Sequence, residues 1–451
     1  MRRVHFIGIG GYSMSGLALW LKAQGDAVTG SDMTPSSRTE RLLKAGIPVF
    51  FGHDPRLVAG SDYVVYNSDV HEDNPERRAA AAAGIDLRHR SEVLAEVLSR
   101  YRTVSVSGTH GKTTTTTMIG TVLVSGGWDP TVLVGGEVPQ FGGNLRLGAG
   151  AWAVAEADES DGTFLRYSPE IAVATNIEPE HLDHFQNRFD GLVGAFRQYL
   201  SRVPRDGLAV VGVDNPVLAQ MAKELPAPVR TYGLVREADL RAERIRTDPQ
   251  GTIFQVWESG TLRGTCRMPV PGRHNVANAL AAVAAARHLG MGWSEALAGL
   301  EGFQNANRRF QIIHAGPIRV VDDYAHHPSE IAATVAAARQ VTGGRVMAVF
   351  QPQRYSRTRA LWNEFARAFG GCDYLYLTEI YSPPGDPPIA GIGGEALAAA
   401  VRAETGGPVQ FVADMFDAVD PLLVMARPGD TILTMGAGNV FRVAEALARR
   451  L

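Results

Sequence analysis

An α/β fold in three domains is predicted by three observations on the 451-residue sequence. A glycine-rich turn joins an apolar strand to a helix near the N-terminus. A second such turn follows residue 107, and the last third alternates strand and helix with polar residues at the strand ends. Composition agrees: 45% hydrophobic and 20% charged residues suit a globular enzyme with an ample core, and the length allows roughly three domains. A net charge of −3 gives no electrostatic reason to expect nucleic acid or an anionic membrane as partner. No apolar run approaches the ~20 residues of a membrane span. Met1-Arg2-Arg3-Val4-His5-Phe6 runs straight into a glycine turn and reads as a strand, not a signal peptide. Cys266 and Cys372 are far apart with no CxxC, so neither a disulfide framework nor a zinc site is expected. The expected location is the cytoplasm, and the expected state a monomer or weak homodimer.

Residues 1–90 read as a Rossmann-like unit. An apolar strand over 4–9 meets the turn Gly8-Ile9-Gly10-Gly11-Tyr12-Ser13-Met14-Ser15-Gly16, and a helix follows over 15–23. A second strand over 26–31 ends at Asp32, near the ~20-residue spacing of a ribose-binding acid. That spacing makes a nicotinamide-dependent dehydrogenase the main competitor. Ser13 replaces the third glycine of GxGxxG, however, so the turn supports a diphosphate at a helix N-terminus without saying which nucleotide carries it. Further strands fit 48–51 and 62–67, and a helix fits 74–83. Ser91 is the expected cap of the helix that opens the next domain.

Residues 91–308 form a central P-loop ATPase-like domain with a mixed sheet. The alternating, β-branched run over 103–107 is a strand, and Gly108-Thr109-His110-Gly111-Lys112-Thr113 turns into a helix over 112–125. Backbone N–H groups and the helix dipole there favour phosphate, Lys112 adds a point charge, and Thr113 offers a hydroxyl to Mg²⁺. Only four of the 44 lysines and arginines are lysines: Lys22, Lys44, Lys112 and Lys223. A chain so rich in arginine has kept a compact ammonium in this loop, where a planar guanidinium does not substitute. The strand over 151–155 runs into Glu156-Ala157-Asp158-Glu159-Ser160-Asp161, and that over 170–175 into Asn176-Ile177-Glu178-Pro179-Glu180-His181-Leu182-Asp183-His184. Acid clusters at two adjacent strand ends suit Mg²⁺ held together with phosphate oxygens, while a solvated acidic loop is the plainer alternative. A helix fits 189–203, shorter strands fall between 207 and 268, and an alanine-rich helix runs to about His288. Asn275 and Asn278 share a face of that helix and could bond a purine edge; a capping role fits the spacing equally.

Residues 309–451 form a C-terminal Rossmann-like domain. Strands fit 319–322, 345–350, 374–378, 409–412 and 431–435; helices fit 328–339, 358–369, 394–404, 415–425 and 440–447. Arg354, Arg357 and Arg359 at a strand end can hold a carboxylate by bidentate bonds. Gly436-Ala437-Gly438-Asn439 is another nest for an anion.

Together GTHGKTTTT, EADESDGTF, TNIEPEHLDHF, GRHNVANALAA, NRRFQ, DDYAHHPSE and FQPQRYSRTR resemble the Mur ligases, in motif order and over essentially the full length. The resemblance implies an ATP- and Mg²⁺-dependent ligase that phosphorylates the carboxylate of UDP-N-acetylmuramate. The amine of L-alanine then attacks the acyl phosphate. A sister activity joins a whole tripeptide to the same nucleotide sugar, and a nucleotide-binding regulator without turnover is a further alternative. By motif, Gly108, Thr109, His110, Gly111, Lys112, Thr113 and Thr114 would cradle the phosphates, with Thr113, Glu156 and His181 on Mg²⁺. His274, Asn275, Asn278, Arg309 and Asp323 would face the nucleotide. Gly10, Gly11, Ser13, Met14 and Ser15 would take the UDP diphosphate, and Asn144, Glu159 and Ser160 would lie near the muramoyl group. Tyr324, His326, Arg354 and Arg357 would frame the amino acid, His326 joining Lys112, Glu156 and His181 in catalysis. The chain departs from the family pattern at four places. Glu180 stands for aspartate, Gln353 for the histidine of QPHR, YSPPGDPPI for YxAGExPI at 381–389, and Asn67-Ser68-Asp69-Val70 for SSAI. No lysine lies between Lys112 and Lys223 to be carbamylated for a second metal, as in sister ligases.

Overall fold

The computed structural model describes residues 1–383 and 385–451, with Asp183 described by its backbone alone; Pro384 of the altered 381–389 motif lies outside the described residues. Among the described residues, three sheets of five, ten and six strands carry the chain. It divides into two compact units, one of Met1–Glu243, Gln255–Cys266 and Ala277–Gln304, the other of Arg244–Phe254, Arg267–Val276 and Asn305–Leu451.

In the first unit a parallel five-stranded sheet runs Val49–Phe51, Ala27–Asp32, Arg3–Ile7, Tyr63–Tyr66, Asp86–His89. Arg3–Ile7 is central because Val4, Phe6 and Ile7 are all buried, as expected of a strand covered on both faces. The sequence reading had no strand at Asp86–His89; pairing with Tyr63–Tyr66, not intrinsic propensity, makes one of these polar residues. His89, not Ser91, caps the helix Arg90–Leu98: its ring accepts from Ser91 N, and Glu92 accepts from His89 N at 3.0 Å.

The ten-stranded sheet places Arg102–Ser107 between Ile171–Ala174 and Trp152–Glu156, all parallel. The two acid-bearing strands therefore flank the phosphate-loop strand, where the sequence suggested that they adjoin each other. Outside Trp152–Glu156 lies an unforeseen antiparallel hairpin, Thr131–Val138 and Gly143–Arg146. Gly135 and Gly136 interrupt its alternation and hid it. On the far side follow Leu208–Gly212, Val229–Gly233, Leu240–Asp248, Gly251–Glu258 and Thr261–Met268. Helix Arg273–His288 is a core helix, with Ala279 through Ala286 fully buried.

In the second unit the six-stranded sheet runs Gln311–Ala315, Arg319–Asp323, Thr431–Met435, Val346–Phe350, Tyr374–Thr378, Val409–Val412. The first strand, an addition to the expected five, is antiparallel, and the rest are parallel. The helix expected over 358–369 is two shorter ones, Tyr355–Ala360 and Trp362–Arg367, broken at Leu361. That over 415–425 is a 3₁₀ turn, Met415–Ala418, and a helix, Val419–Met425, with Pro421 in its tolerated first turn. Among the described residues no helix is long and apolar enough to cross a membrane.

Candidate active site

The phosphate loop has glycine where a side chain would not fit. A Cβ on Gly108, at φ +143°, would fall 1.9 Å from Thr175 Oγ1; one on Gly111, at φ +84°, would fall 2.8 Å from Asn278 Oδ1. The loop is strapped to the end of the neighbouring strand. Thr109 N donates to Asn176 O at 3.0 Å, His110 N to Asn176 Oδ1 at 2.9 Å, and Glu178 N to Thr109 Oγ1 at 2.8 Å. Helix Lys112–Ser125 then starts at Gly111, with Thr113 and Thr114 in its first turn and its N–H groups turned to the site expected for phosphate.

Lys112 Nζ donates to Gly108 O at 2.7 Å and to Glu159 Oε1 at 2.9 Å. Burial disfavours its charge, but Glu159 and Asp158 outweigh that and hold it protonated above its usual range. Glu159 is buried, and its Oε2 has no hydrogen-bond partner among the described residues. Burial pushes this carboxyl up from the ordinary 4.5 to about 7, against the pull of Lys112. Ser160 N donates to Asp158 Oδ1 at 3.1 Å. Across the loop Glu156 accepts from Thr113 Oγ1 at 3.3 Å and from Gly135 N at 2.5 Å. A hydroxyl beside a carboxylate is the hard-oxygen pair that Mg²⁺ takes alongside phosphate, so these residues fit the ion. The third expected ligand, His181, leaves the other flanking strand in a left-handed conformation at φ 55°.

At the first glycine turn Gly8 N and Ile9 N both donate to Ser31 O at 2.9 Å, and Gly10 N donates to Asp32 Oδ2 at 2.8 Å. Asp32 thus also braces its own turn. Gly11 caps helix Tyr12–Ala23, with Ser13 in its first turn and Met14 and Ser15 buried. Asn144 is fully buried. Its amide donates to Tyr12 O and, at 3.2 Å, to Ser15 Oγ, while its oxygen accepts from Arg41 at 3.1 Å. Sequence reasoning missed Arg38 and Arg41: Arg38 Nε donates to Gly10 O at 2.5 Å and stacks on Tyr12, and Arg41 pairs with Glu137. Two arginines on one helix signal nothing until the turn they face is known.

In the second unit Asp323 is buried, accepting from Phe310 N at 2.6 Å and Ala325 N at 2.7 Å. Burial pushes it up to about 6, against Arg309. Tyr324 lies under the guanidinia of Arg308 and Arg309. His326 Nδ1 is 3.0 Å from Tyr324 O and 3.3 Å from Glu330. Asn275 donates to Pro271 O at 2.8 Å, and His274 is exposed. Arg354 is exposed, and Arg357 donates to Gln353 Oε1 at 3.2 Å, so the residue standing for histidine orients a cation.

Three family models match: the Mur ligase family catalytic domain over residues 3–102, the Mur ligase middle domain over 106–286, and the Mur ligase glutamate ligase domain over 308–438. The UDP-N-acetylmuramate–L-alanine ligase of Symbiobacterium thermophilum is 50% identical, covering 100% of this chain and 95% of its own. That of Geotalea uraniireducens is 44% identical, covering 100% and 98%. Among solved structures, the UDP-N-acetylmuramate–alanine ligase of Thermotoga maritima is 29% identical with a TM-score of 0.86, covering 100% and 99%. A murein peptide ligase of Psychrobacter arcticus, 25% identical, reaches 0.72 over 100% and 98%.

Proposed function

Since the chain belongs to the Mur ligase family, we infer that it is an ATP-dependent ligase joining the carboxylate of UDP-N-acetylmuramate to the amine of L-alanine through an acyl phosphate. The observation that carries this reading is the cluster of Lys112, Thr113, Glu156 and Glu159 at one helix N-terminus, between two strands that end in acids. A carboxylate resists attack until one oxygen leaves as phosphate. Moving a phosphoryl group between anions needs fixed positive charge and alignment.

Gly108, Thr109, His110, Gly111, Lys112, Thr113 and Thr114 cradle the triphosphate, Thr109 and His110 shaping the loop through their N–H bonds to Asn176 and the first turn of the helix turning its N–H groups to the phosphates, and Lys112 follows the charge of the transferring group. Thr113, Glu156 and His181 hold Mg²⁺, which supplies further neutralisation of the phosphate oxygens. Gly10, Gly11, Ser13, Met14 and Ser15 receive the UDP diphosphate on a turn that Asn144 fixes from behind, and Glu159 and Ser160 lie toward the muramoyl group. His274, Asn275, Asn278, Arg309 and Asp323 serve the nucleotide. Arg354 and Arg357 take the carboxylate of alanine beside Tyr324. His326, oriented by Tyr324 O and Glu330, accepts the proton that the attacking amine gives up. The corresponding domains are residues 1–90, 91–308 and 309–451, working in the cytoplasm.

Mass detection of the amide from UDP-N-acetylmuramate, ATP, Mg²⁺ and L-alanine tests the reading. Product is expected from the wild type, and Lys112→Ala should lose ~10²–10³-fold in kcat, the scale of one preorganised charge donor. Product with a tripeptide but not with L-alanine, or full turnover by that variant, would overturn it.

A further inference from the structure

We propose that Asp386 is a positioning residue for the acceptor amino acid: from a separate loop it locks the short helix that presents Arg354 and Arg357. This rests on the reading that these arginines hold the alanine carboxylate.

Helix Tyr355–Ala360 has an arginine at its N-cap, and Arg354 gives it no side-chain cap. A local cap needs a short oxygen-bearing side chain at that position. The sequence has put a guanidinium there and supplied the oxygen from 32 residues on. Asp386 Oδ2 accepts from Tyr355 N at 2.5 Å, and Oδ1 accepts from Ser356 N at 3.2 Å and Ser356 Oγ at 2.5 Å. Ser382 Oγ donates to the same carboxylate at 3.1 Å. One side chain thus satisfies the first orphan N–H groups of the helix, on the two residues that lie between the arginines.

The same loop holds the backbone of Arg354 itself. Arg354 N donates to Tyr381 O at 3.0 Å and Tyr381 N to Pro352 O at 2.8 Å, forming the isolated bridge Gln353–Tyr381. Between these ties Arg354 sits at φ 69°, ψ 126°, a region a non-glycine residue keeps only when its surroundings impose it. Gly385, at φ +93°, makes the turn that brings Asp386 back to the helix. Losing the Asp386 bonds frees Arg354 to relax toward negative φ and the first turn of the helix to shift, which swings the Arg354 side chain and releases Arg357 from its place beside Gln353. The altered 381–389 motif therefore has a job that the reaction chemistry alone does not assign it.

Steady-state kinetics on the full-length protein test this. Asp386→Asn keeps the shape but sets an amide N–H₂ against backbone donors. It should raise the KM for L-alanine about tenfold or more, with the KM values for ATP and UDP-N-acetylmuramate within about twofold. Asp386→Glu should recover most of the loss, and Ser356→Ala, a milder change should the first variant fold poorly, should give a smaller rise in the same constant. In an Arg354→Ala/Arg357→Ala background Asp386→Asn should add almost nothing, because the residue acts through those two side chains. An unchanged alanine KM, an equal rise in all three constants, or full additivity with that double variant would each overturn the proposal. If Arg357→Ala by itself leaves the alanine KM unchanged, the reading of the arginines fails instead.

Discussion

Glu159 should set how the proposed phosphate loop responds to pH. Burial holds this carboxyl, paired with Lys112, up at about 7 rather than 4.5. A polyanion bound at the loop disfavours the ionised form, raising the value further, so binding at pH 7 takes up protons and affinity falls as pH rises through 7. Titration calorimetry of Mg²⁺–ATP in buffers of different ionisation enthalpy should show this uptake, and Glu159→Gln should abolish it; equal uptake by the variant would place the titration elsewhere. The sequence displayed Glu159 as one of four acids within six residues, and the family resemblance set it near the muramoyl group, not against Lys112. Its pairing joins residues 47 apart in the chain, and no local pattern encodes that. Lys112, Thr113 and Glu156 could be proposed from the sequence because strand-turn-helix chemistry is local. Arg38, Arg41 and Asp386 were not, because each serves a turn or helix that another segment supplies.

At the scale of elements, every strand ending in a proposed site cluster was anticipated, since apolar runs that empty into charge are visible in one dimension. The hairpin Thr131–Val138 and Gly143–Arg146 was not, yet it touches both proposed phosphate sites of the first unit: Gly135 N binds Glu156, and Asn144 binds the start of helix Tyr12–Ala23. Gly16 is the contact that allows this packing, because a Cβ there would meet Leu133 Cδ1 at 2.4 Å and Asn144 Nδ2 at 2.9 Å. Gly16→Ala should therefore destabilise by ~1–3 kcal/mol, the usual cost of overpacking. It should also raise the KM for UDP-N-acetylmuramate more than that for ATP. A thermal midpoint at or above the wild type would show that helix and hairpin pack more loosely than these distances state.

Among the described residues, three largely parallel sheets place the proposed site residues at strand ends, as open α/β sheets do. The residues proposed for the reaction are divided between the two compact units. Lys112, Thr113, Glu156, Glu159 and the first glycine turn belong to one; Tyr324, His326, Arg354 and Arg357 belong to the other. Phosphoryl transfer to the muramoyl carboxylate and attack by the amine should then be separable by mutation. Arg357→Ala should still form acyl phosphate from UDP-N-acetylmuramate and ATP, detectable as the alcohol after borohydride reduction, while amide formation at low L-alanine falls by about tenfold or more, as expected for a lost charged hydrogen bond. Lys112→Ala should lower the alcohol and the amide together, by the same ~10²–10³-fold. Were Arg357→Ala to abolish the reducible intermediate, the arginine would belong to the phosphoryl-transfer step, and the division of labour between the units would have to be redrawn around it.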